Sequence, residues 1–587
     1  MARGHPVAAH WQWRVGQVEV WEFMANRYRS AVGSAMRRWR LAAVPVALVC
    51  ALGAVSCVQT VRGQEAPAGS PSAAPLLPTS PTSPAPKSPQ AAALPAPRVV
   101  PVPVSMRTTP TSFALTGDSR IVTPSGSPEA TRVGEFLAGL LRPSTGYRLP
   151  VSTGDQPDRP GDIVLTLTGD DRLGTEGYDL TVTDRSVTLR AARPAGLFFG
   201  VQTLRQLLPA QVESHSVRPG PWLVPGVQIT DHPRFAWRGA SLDVARHFFT
   251  VAEVQRYIDL LSLYKMNTLH LHLSDDQGWR IAVDGWPRLT SVGGRTEVGG
   301  GPGGFYTQDD YRRIVNYAAE RYVTVVPEIE LPGHINAALV SYPELTCDGQ
   351  APPPFTRIGG PPVSLCVDKP VVHQFLDDVV GQLAALTPGP YLHVGGDEVL
   401  NMAPAAYAGF VNRVQQVVRA HGKTAVGWQE ITDGDLSQGT VVQYWDTNHP
   451  ADPVRQAAAG GARIVLSPAS RAYLDMKYDK ATRQGLTWAG YVTVQDAYSW
   501  DPAKLLPGVG ESSVLGVEAA LWSETLPAFG DVEFMVLPRL PALAELGWSP
   551  ASTHDWEKFR QRLAAQAPRW SAMSVDFFRS PQVPWPG

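Results

Sequence analysis

Asp397 and Glu398 stand side by side at the end of the stretch 391–399, YLHVGGDEV. An apolar, aromatic-led run of this kind predicts a short buried strand, and the two glycines free the backbone just before the acids. Successive side chains of a strand point to opposite faces, so the two carboxyls are expected to diverge and to do different work. Such a dyad suits the mouth of a barrel strand.

The elements needed to hold it there are legible downstream and upstream. Strand-like runs at 236–244, 267–273, 324–328, 391–395, 424–428, 441–445, 463–466 and 516–522 alternate with helical patterns at 251–264, 308–320, 370–385, 404–420 and 453–459, and a helix at 531–546 closes the series. The fold class is therefore α/β: a (β/α)8 barrel, assigned to 233–572, preceded by a small mixed α+β domain. A barrel places its chemistry at the C-terminal ends of its strands. Those ends carry Asp243, Arg246 and His247; Asp275, Asp276 and Trp279; Glu328, Glu330 and His334; Asp397 and Glu398; Trp428 and Glu430; Trp445 and Asp446; and Trp522 and Glu524. Arg238 lies near the start of the first strand and is expected to reach inward. The stretch 467–513 is too long for an ordinary connection and is expected to cover the active face with Tyr473, Asp475 and Trp488.

Several carboxylates walled by indoles point to a carbohydrate ligand, whose C–H faces stack on tryptophan and whose hydroxyls suit Asp, Glu and Arg. The chain holds 17 Trp in 587 residues. Ordinary glycosidases set two carboxyls on opposite sides of the scissile bond. Neighbours that diverge fit that plan poorly, whereas a sugar bearing a 2-acetamido group carries its own nucleophile.

The chain resembles the glycoside hydrolase family 20 β-N-acetylhexosaminidases of the bacterial secreted type. The matching stretches are WRGASLDVARHFF at 237–249, HLHLSDDQGWR at 270–280, PEIELPGH at 327–334, HVGGDE at 393–398, GWQE at 427–430, QYWD at 443–446, YLD at 473–475 and LWSE at 521–524. The resemblance implies retaining exo-hydrolysis of terminal β-linked N-acetylhexosamine through an oxazolinium intermediate, without a cofactor or metal. It assigns Glu398 as general acid and base, Asp397 as acceptor of the acetamido N–H, and Tyr473 as donor to the acetamido oxygen. His334 and Asp275 become a relay behind Glu398, Asp275 being preferred to Asp276 because adjacent strand-end acids cannot both face one histidine. Trp428, Trp445 and Trp522 wall the pocket, Trp488 is an outer wall, and Arg238, Asp475 and Glu524 hold the sugar hydroxyls. Glu398 must be protonated and Asp397 ionised when substrate binds.

Other readings have their own signatures. An endo-acting chitinase-like barrel would carry DxxDxDxE in its fourth strand, where this chain has HVGGDE. A non-catalytic glycan-binding protein would not need Asp397, Glu398 and Tyr473 together. His270, His272 and His393 resemble metal ligands but read as hydrogen-bonded braces.

The remaining segments concern location and assembly. Arg37, Arg38 and Arg40 precede an apolar run at 41–55, too short for a comfortable membrane span and suited to export. Residues 1–57 are read as an export or anchor segment, with Met24 and Met36 as candidate starts and Cys57 as a candidate lipidation site that would tether the chain to a membrane. Residues 58–99 are a Pro/Ala/Ser-rich linker. The domain at 100–232 shows strands at 120–123, 162–167, 178–182 and 186–191 and helices at 130–141 and 195–208, with no reactive cluster. Residues 573–587 are read as a tail. Cys347 and Cys366 remain as a pair and would bridge in an oxidising compartment. The net charge of -2 suggests no nucleic-acid partner, and the sequence leaves the oligomeric state open.

Overall fold

The computed structural model describes residues 96–154 and 159–586, so the export segment and nearly all of the linker lie outside the described residues. Among the described residues fifteen strands form two sheets. Strands β1 (Ser105–Leu115), β2 (Arg120–Thr123), β3 (Val151–Thr153), β4 (Asp162–Leu167), β5 (Tyr178–Val182), β6 (Val187–Ala191) and β7 (Trp222–Asp231) build a mixed sheet in the order β1-β7-β5-β6-β4-β2-β3. Helices Pro128–Thr145 and Pro194–Leu207 pack on it.

Strands β8 (Trp237–Asp243), β9 (Thr268–His272), β10 (Thr324–Glu328), β11 (Tyr391–His393), β12 (Thr424–Trp428), β13 (Val441–Tyr444), β14 (Arg463–Leu466) and β15 (Val514–Ala519) are parallel and close into a barrel, β15 pairing with β8. Their buried faces explain the apolar runs in the sequence, since a parallel sheet is covered on both sides. Two of the intervening helices start at strong caps. Thr250 with Glu253 and Thr307 with Asp310 form reciprocal capping boxes at Val251–Leu263 and Gln308–Ala319.

Three boundaries differ from the sequence reading. The closing helix is two helices, Phe529–Val536 and Arg539–Trp548, because Pro538 cannot continue the hydrogen-bond ladder. The linker ends sooner, since Val99 and Val100 are fully buried. The segment after 572 is no free tail: Phe577 and Trp585 pack on Trp570, and Val583 is buried.

The small domain is strapped beneath the N-terminal end of the barrel. Lys265 Nζ, fully buried, donates to Asp231 and to the Tyr178 hydroxyl at 2.8 Å each, and Trp548 Nε1 donates to the same carboxylate. Arg238 belongs to this strap and not to a ligand site. Its guanidinium makes a two-pronged pair with Glu176, both contacts at 2.9 Å, donates to the carbonyls of Phe235 and Lys265, and lies over Trp548. Its position at the start of β8 decides this, because the strand runs away from it toward the opposite mouth. Glu176→Ala, which strands that buried guanidinium, should cost about 3 kcal/mol in urea unfolding; an unchanged midpoint would show that the pair does not hold the domains together.

Candidate active site

β11 ends at His393, and the backbone then turns through Gly395 and Gly396 in the left-handed region before reaching Asp397. Glu398 is itself left-handed, with φ of 53°. A left-handed turn, and not strand alternation, therefore sets the two carboxyls, which both approach His334 Nε2. Glycine is required at 395, where a Cβ would meet a Glu330 carboxylate oxygen at 1.9 Å. Asp397 is mostly buried, its Oδ1 without a hydrogen-bond partner, while the Glu398 side chain is 51% exposed.

His334, also left-handed at φ 45°, sits between two pairs of acids. Its Nε2 lies 3.5 Å from Glu398 and 3.8 Å from Asp397; its Nδ1 lies 3.6 Å from Asp275 and 3.3 Å from Asp276. Both strand-end acids thus face one histidine, against the sequence expectation. The chain has left β9 by this point, and the turn at 274–279 removes the alternation that expectation assumed. Asp275 also pairs with Arg246 at 2.8 Å and with His272 Nε2 at 3.0 Å.

Burial pushes the Asp397 carboxyl up to about 6, with the Glu398 charge adding and His334 opposing. The hydrogen bond from His334 holds Glu398 below the usual carboxylate range despite partial burial. The unliganded site is therefore biased opposite to the protonation expected for turnover. Burial opposes the His334 charge, yet Asp275, Asp276 and Glu398 lift its pKa well above the ordinary histidine value. Opposite charges near at hand favour the protonated ring.

Aromatic rings pen in the space in front of the acids. Tyr473 and Trp445 lie nearly parallel with centroids 6.2 Å apart, and Trp488 meets both edge-on. Trp522 packs against Tyr473 and Trp428. Trp428, Trp445 and Tyr473 are buried, whereas Trp488 is 48% exposed, as an outer wall should be. Asp475 is buried with neither carboxylate oxygen hydrogen-bonded, and burial raises its pKa well above the usual range. Burial likewise raises Glu524, with Arg246 opposing.

Two residues at this mouth had no role in the sequence reading. Arg246, over the face of Trp522, is the guanidinium that reaches the site; its place after the C-terminal end of β8 was the signal, against that of Arg238 at the beginning. Glu430 accepts from Trp445 Nε1 at 3.1 Å, and burial pushes its carboxyl up to about 8, with Asp397 adding.

Beneath the pocket, Glu328 accepts from Trp428 Nε1 at 3.0 Å and pairs with His270, His272 and His393. His270 also pairs with Glu518 at 2.8 Å. Three sets have the donor types for a divalent cation: His270, Glu328 and His393; His272, Glu328 and Glu330; Asp275, Asp276 and His334. Both nitrogens of His270 and of His272 are engaged with carboxylates, which lift their pKa values, against burial, to about 10 and about 9. These ion pairs brace the carboxylates, whereas burial lowers the pKa of His393. A cavity of about 350 Å³ lined by Arg234, Phe235, Arg463 and Glu511 opens at the opposite, N-terminal end of the barrel.

The geometry predicts that His334 stays doubly protonated through neutral pH, and that Asp275→Asn lowers its titration by at least about one pH unit. Selective 15N labelling of histidine would read this directly. A His334 ring titrating near 6.5 in both proteins would contradict the ion pairing.

Known proteins share this architecture. The glycosyl hydrolase family 20 catalytic domain matches residues 235–551, and domain 2 of that family matches 96–232. A β-N-acetylhexosaminidase of Cellulomonas fimi is 46% identical over 495 residues, covering 84% of this chain and 98% of the relative. The solved family 20 β-N-acetylhexosaminidase of Streptomyces coelicolor superposes with a TM-score of 0.81 at 55% identity, covering 84% of this chain and 99% of that one. A mutant Streptomyces plicatus β-hexosaminidase, solved in complex with the product GlcNAc, gives 0.82 at 55% identity, covering 85% and 99%. With its barrel and its companion domain both matched, the chain belongs to glycoside hydrolase family 20 and is a β-N-acetylhexosaminidase of that family.

Proposed function

We propose that the enzyme removes terminal non-reducing N-acetylhexosamine from glycans with Glu398 as proton donor and Asp397 as anchor of the acetamido N–H. One observation carries these roles: a mostly buried Asp397 with an unpartnered oxygen adjoins a half-exposed Glu398 that lies 3.5 Å from His334 Nε2. The buried group suits an amide donor and an adjacent positive charge. The exposed group suits a leaving-group oxygen and, later, water.

In the first step the acetamido carbonyl oxygen attacks C1 while Glu398 protonates the departing glycosidic oxygen, giving a cyclic oxazolinium and a neutral aglycone. In the second step Glu398, now a carboxylate, takes a proton from water as that water opens the ring at C1. Two displacements at one carbon retain its configuration. Asp397 accepts the N–H and balances the charge of the oxazolinium; Tyr473 donates to the attacking oxygen and loses that role when the ring reopens. Trp428, Trp445 and Trp522 restrict the acetamido arm to a near-attack geometry. Asp475, Glu524 and Arg246 are the polar groups for the sugar hydroxyls, Arg246 taking the place expected of Arg238.

Bound sugar also reverses the resting bias. An amide N–H donated to Asp397 favours its ionised form, and a sugar covering Glu398 removes water and favours its protonated form. Residues 1–57 direct export in this reading, with Cys57 as a possible point of lipid attachment, and the Cys347–Cys366 disulfide fits an oxidising compartment.

Asp397→Ala should lower kcat on an aryl N-acetylglucosaminide at least about 100-fold. GlcNAc affinity for the unmodified enzyme should be full above pH about 7 and fall toward tenfold per unit below about 6, as Asp397 takes up a proton. The variant should lose that pH dependence. Near-normal turnover of the variant would refute the anchor role, and internal cleavage of long chitin chains in preference to terminal release would favour the endo-acting alternative.

A further inference from the structure

The disulfide between Cys347 and Cys366 closes a Pro/Gly-rich loop that touches the site from behind. Gly360 is its closest point: a Cβ there would lie 2.3 Å from Asp276 Oδ2 and 3.4 Å from His334 Nδ1. Only a residue without a side chain lets the main chain press on this pair. Gln277 clamps the loop on one side, its Nε2 donating to the carbonyls of Arg357 and Gly359 at 2.8 Å each. On the other side Asn401 Nδ2 donates to the Pro362 carbonyl at 3.0 Å, tying the loop to the segment that follows Glu398. Asn336 binds it a third time, through Nδ2 to the Pro353 carbonyl, while its backbone N–H donates to Asp276 Oδ1.

The loop thus touches both halves of one ion-paired unit: the Asp276 and His334 pair behind, and the turn bearing Glu398 in front. Glu398 and His334 both hold left-handed backbone, which reverts to commoner conformations unless neighbours over-determine it. The surrounding contacts here include those of the stapled loop.

We propose that the Cys347–Cys366 loop is a clamp that positions the proton donor, with Gly360 as the positioning residue that sets the distance from His334 to Glu398. This rests on the reading of Glu398 as general acid. A Cβ at 360 must displace Asp276 Oδ2, 2.3 Å away, and through the ion pair of Asp276 with His334 it shifts the ring relative to Glu398. Sugar binding and attack by the acetamido oxygen are left intact.

The signature is dependence on the leaving group. Proton donation is worth about 100-fold to 10000-fold when the departing oxygen is basic and little when it is not. Gly360→Ala should therefore lose at least about 10-fold in kcat/KM on a p-methoxyphenyl N-acetylglucosaminide and under about 3-fold on the 2,4-dinitrophenyl compound. Ile358→Ala, exposed on the same loop, should leave both rates unchanged. The Cys347→Ser/Cys366→Ser variant, which releases the loop without crowding the site, should show the same inequality and serves if Gly360→Ala does not fold. Equal losses on both substrates, or no loss, would overturn the clamp. Glu398→Gln separates the two levels: if it too lacks leaving-group dependence, the acid assignment fails; if it shows a steep dependence that Gly360→Ala lacks, only the clamp fails.

Discussion

Everything at the mouth of the barrel depends on His334, a ring held between two carboxylates behind and two in front, which favour its charged form. Four acids this close repel one another, and burial makes the repulsion costly. A single cation between them makes the cluster tolerable and distributes its proton affinity unevenly. Asp275, paired with Arg246 and His272 as well, is held far below the usual range against its burial; Glu398 is lowered; Asp397, with less help, is raised. The distinct chemical tasks of neighbouring acids thus follow from their distance to one imidazolium and their exposure. Holding His334 and Glu398 in left-handed backbone costs on the order of 1 to 3 kcal/mol each. The rest of the barrel supplies it.

Part of that support is a polar interior. Instead of filling the barrel only with aliphatic side chains, the chain places Glu328 and Glu518 at its centre and surrounds them with His270, His272, His393, Gln443 and two indole N–H groups. A buried charge is tolerable when it is paired and hydrogen-bonded. Two of these partners border the pocket: Trp428 is a wall, and His272 reaches Asp275. The interior ladder therefore fixes the floor of the site in the same interactions that solvate its own charges.

Much of this was legible in the chain. Strands β10, β12 and β14 lie where the apolar runs place them, because parallel barrel strands are buried on both faces and carry few polar interruptions. Asp397, Glu398, His334, Tyr473 and the tryptophans could be read because barrel topology sends strand ends to a common mouth. What failed was local geometry. Strand alternation does not extend to 275–276, where the chain has already turned, and Arg238 lies the length of the barrel away from the site. Strands β1 and β7 were missed because Pro110 and Pro225 interrupt their patterns, a flaw tolerated at the sheet edge where β1 and β7 change register. The protonation order of Asp397 and Glu398 depends on exposure and on His334, neither of which a sequence displays.

The central claim is that the sugar's own amide oxygen attacks C1. Aryl N-acetylglucosaminides whose acetyl group carries zero, one, two or three fluorines test it most directly, because fluorine weakens that oxygen as a nucleophile while changing its size little. Participation of the amide predicts that kcat falls steeply and steadily across the series. A flat series, or a glycosyl group recovered on an enzyme side chain by mass spectrometry, would show that the protein supplies the nucleophile and would contradict the account.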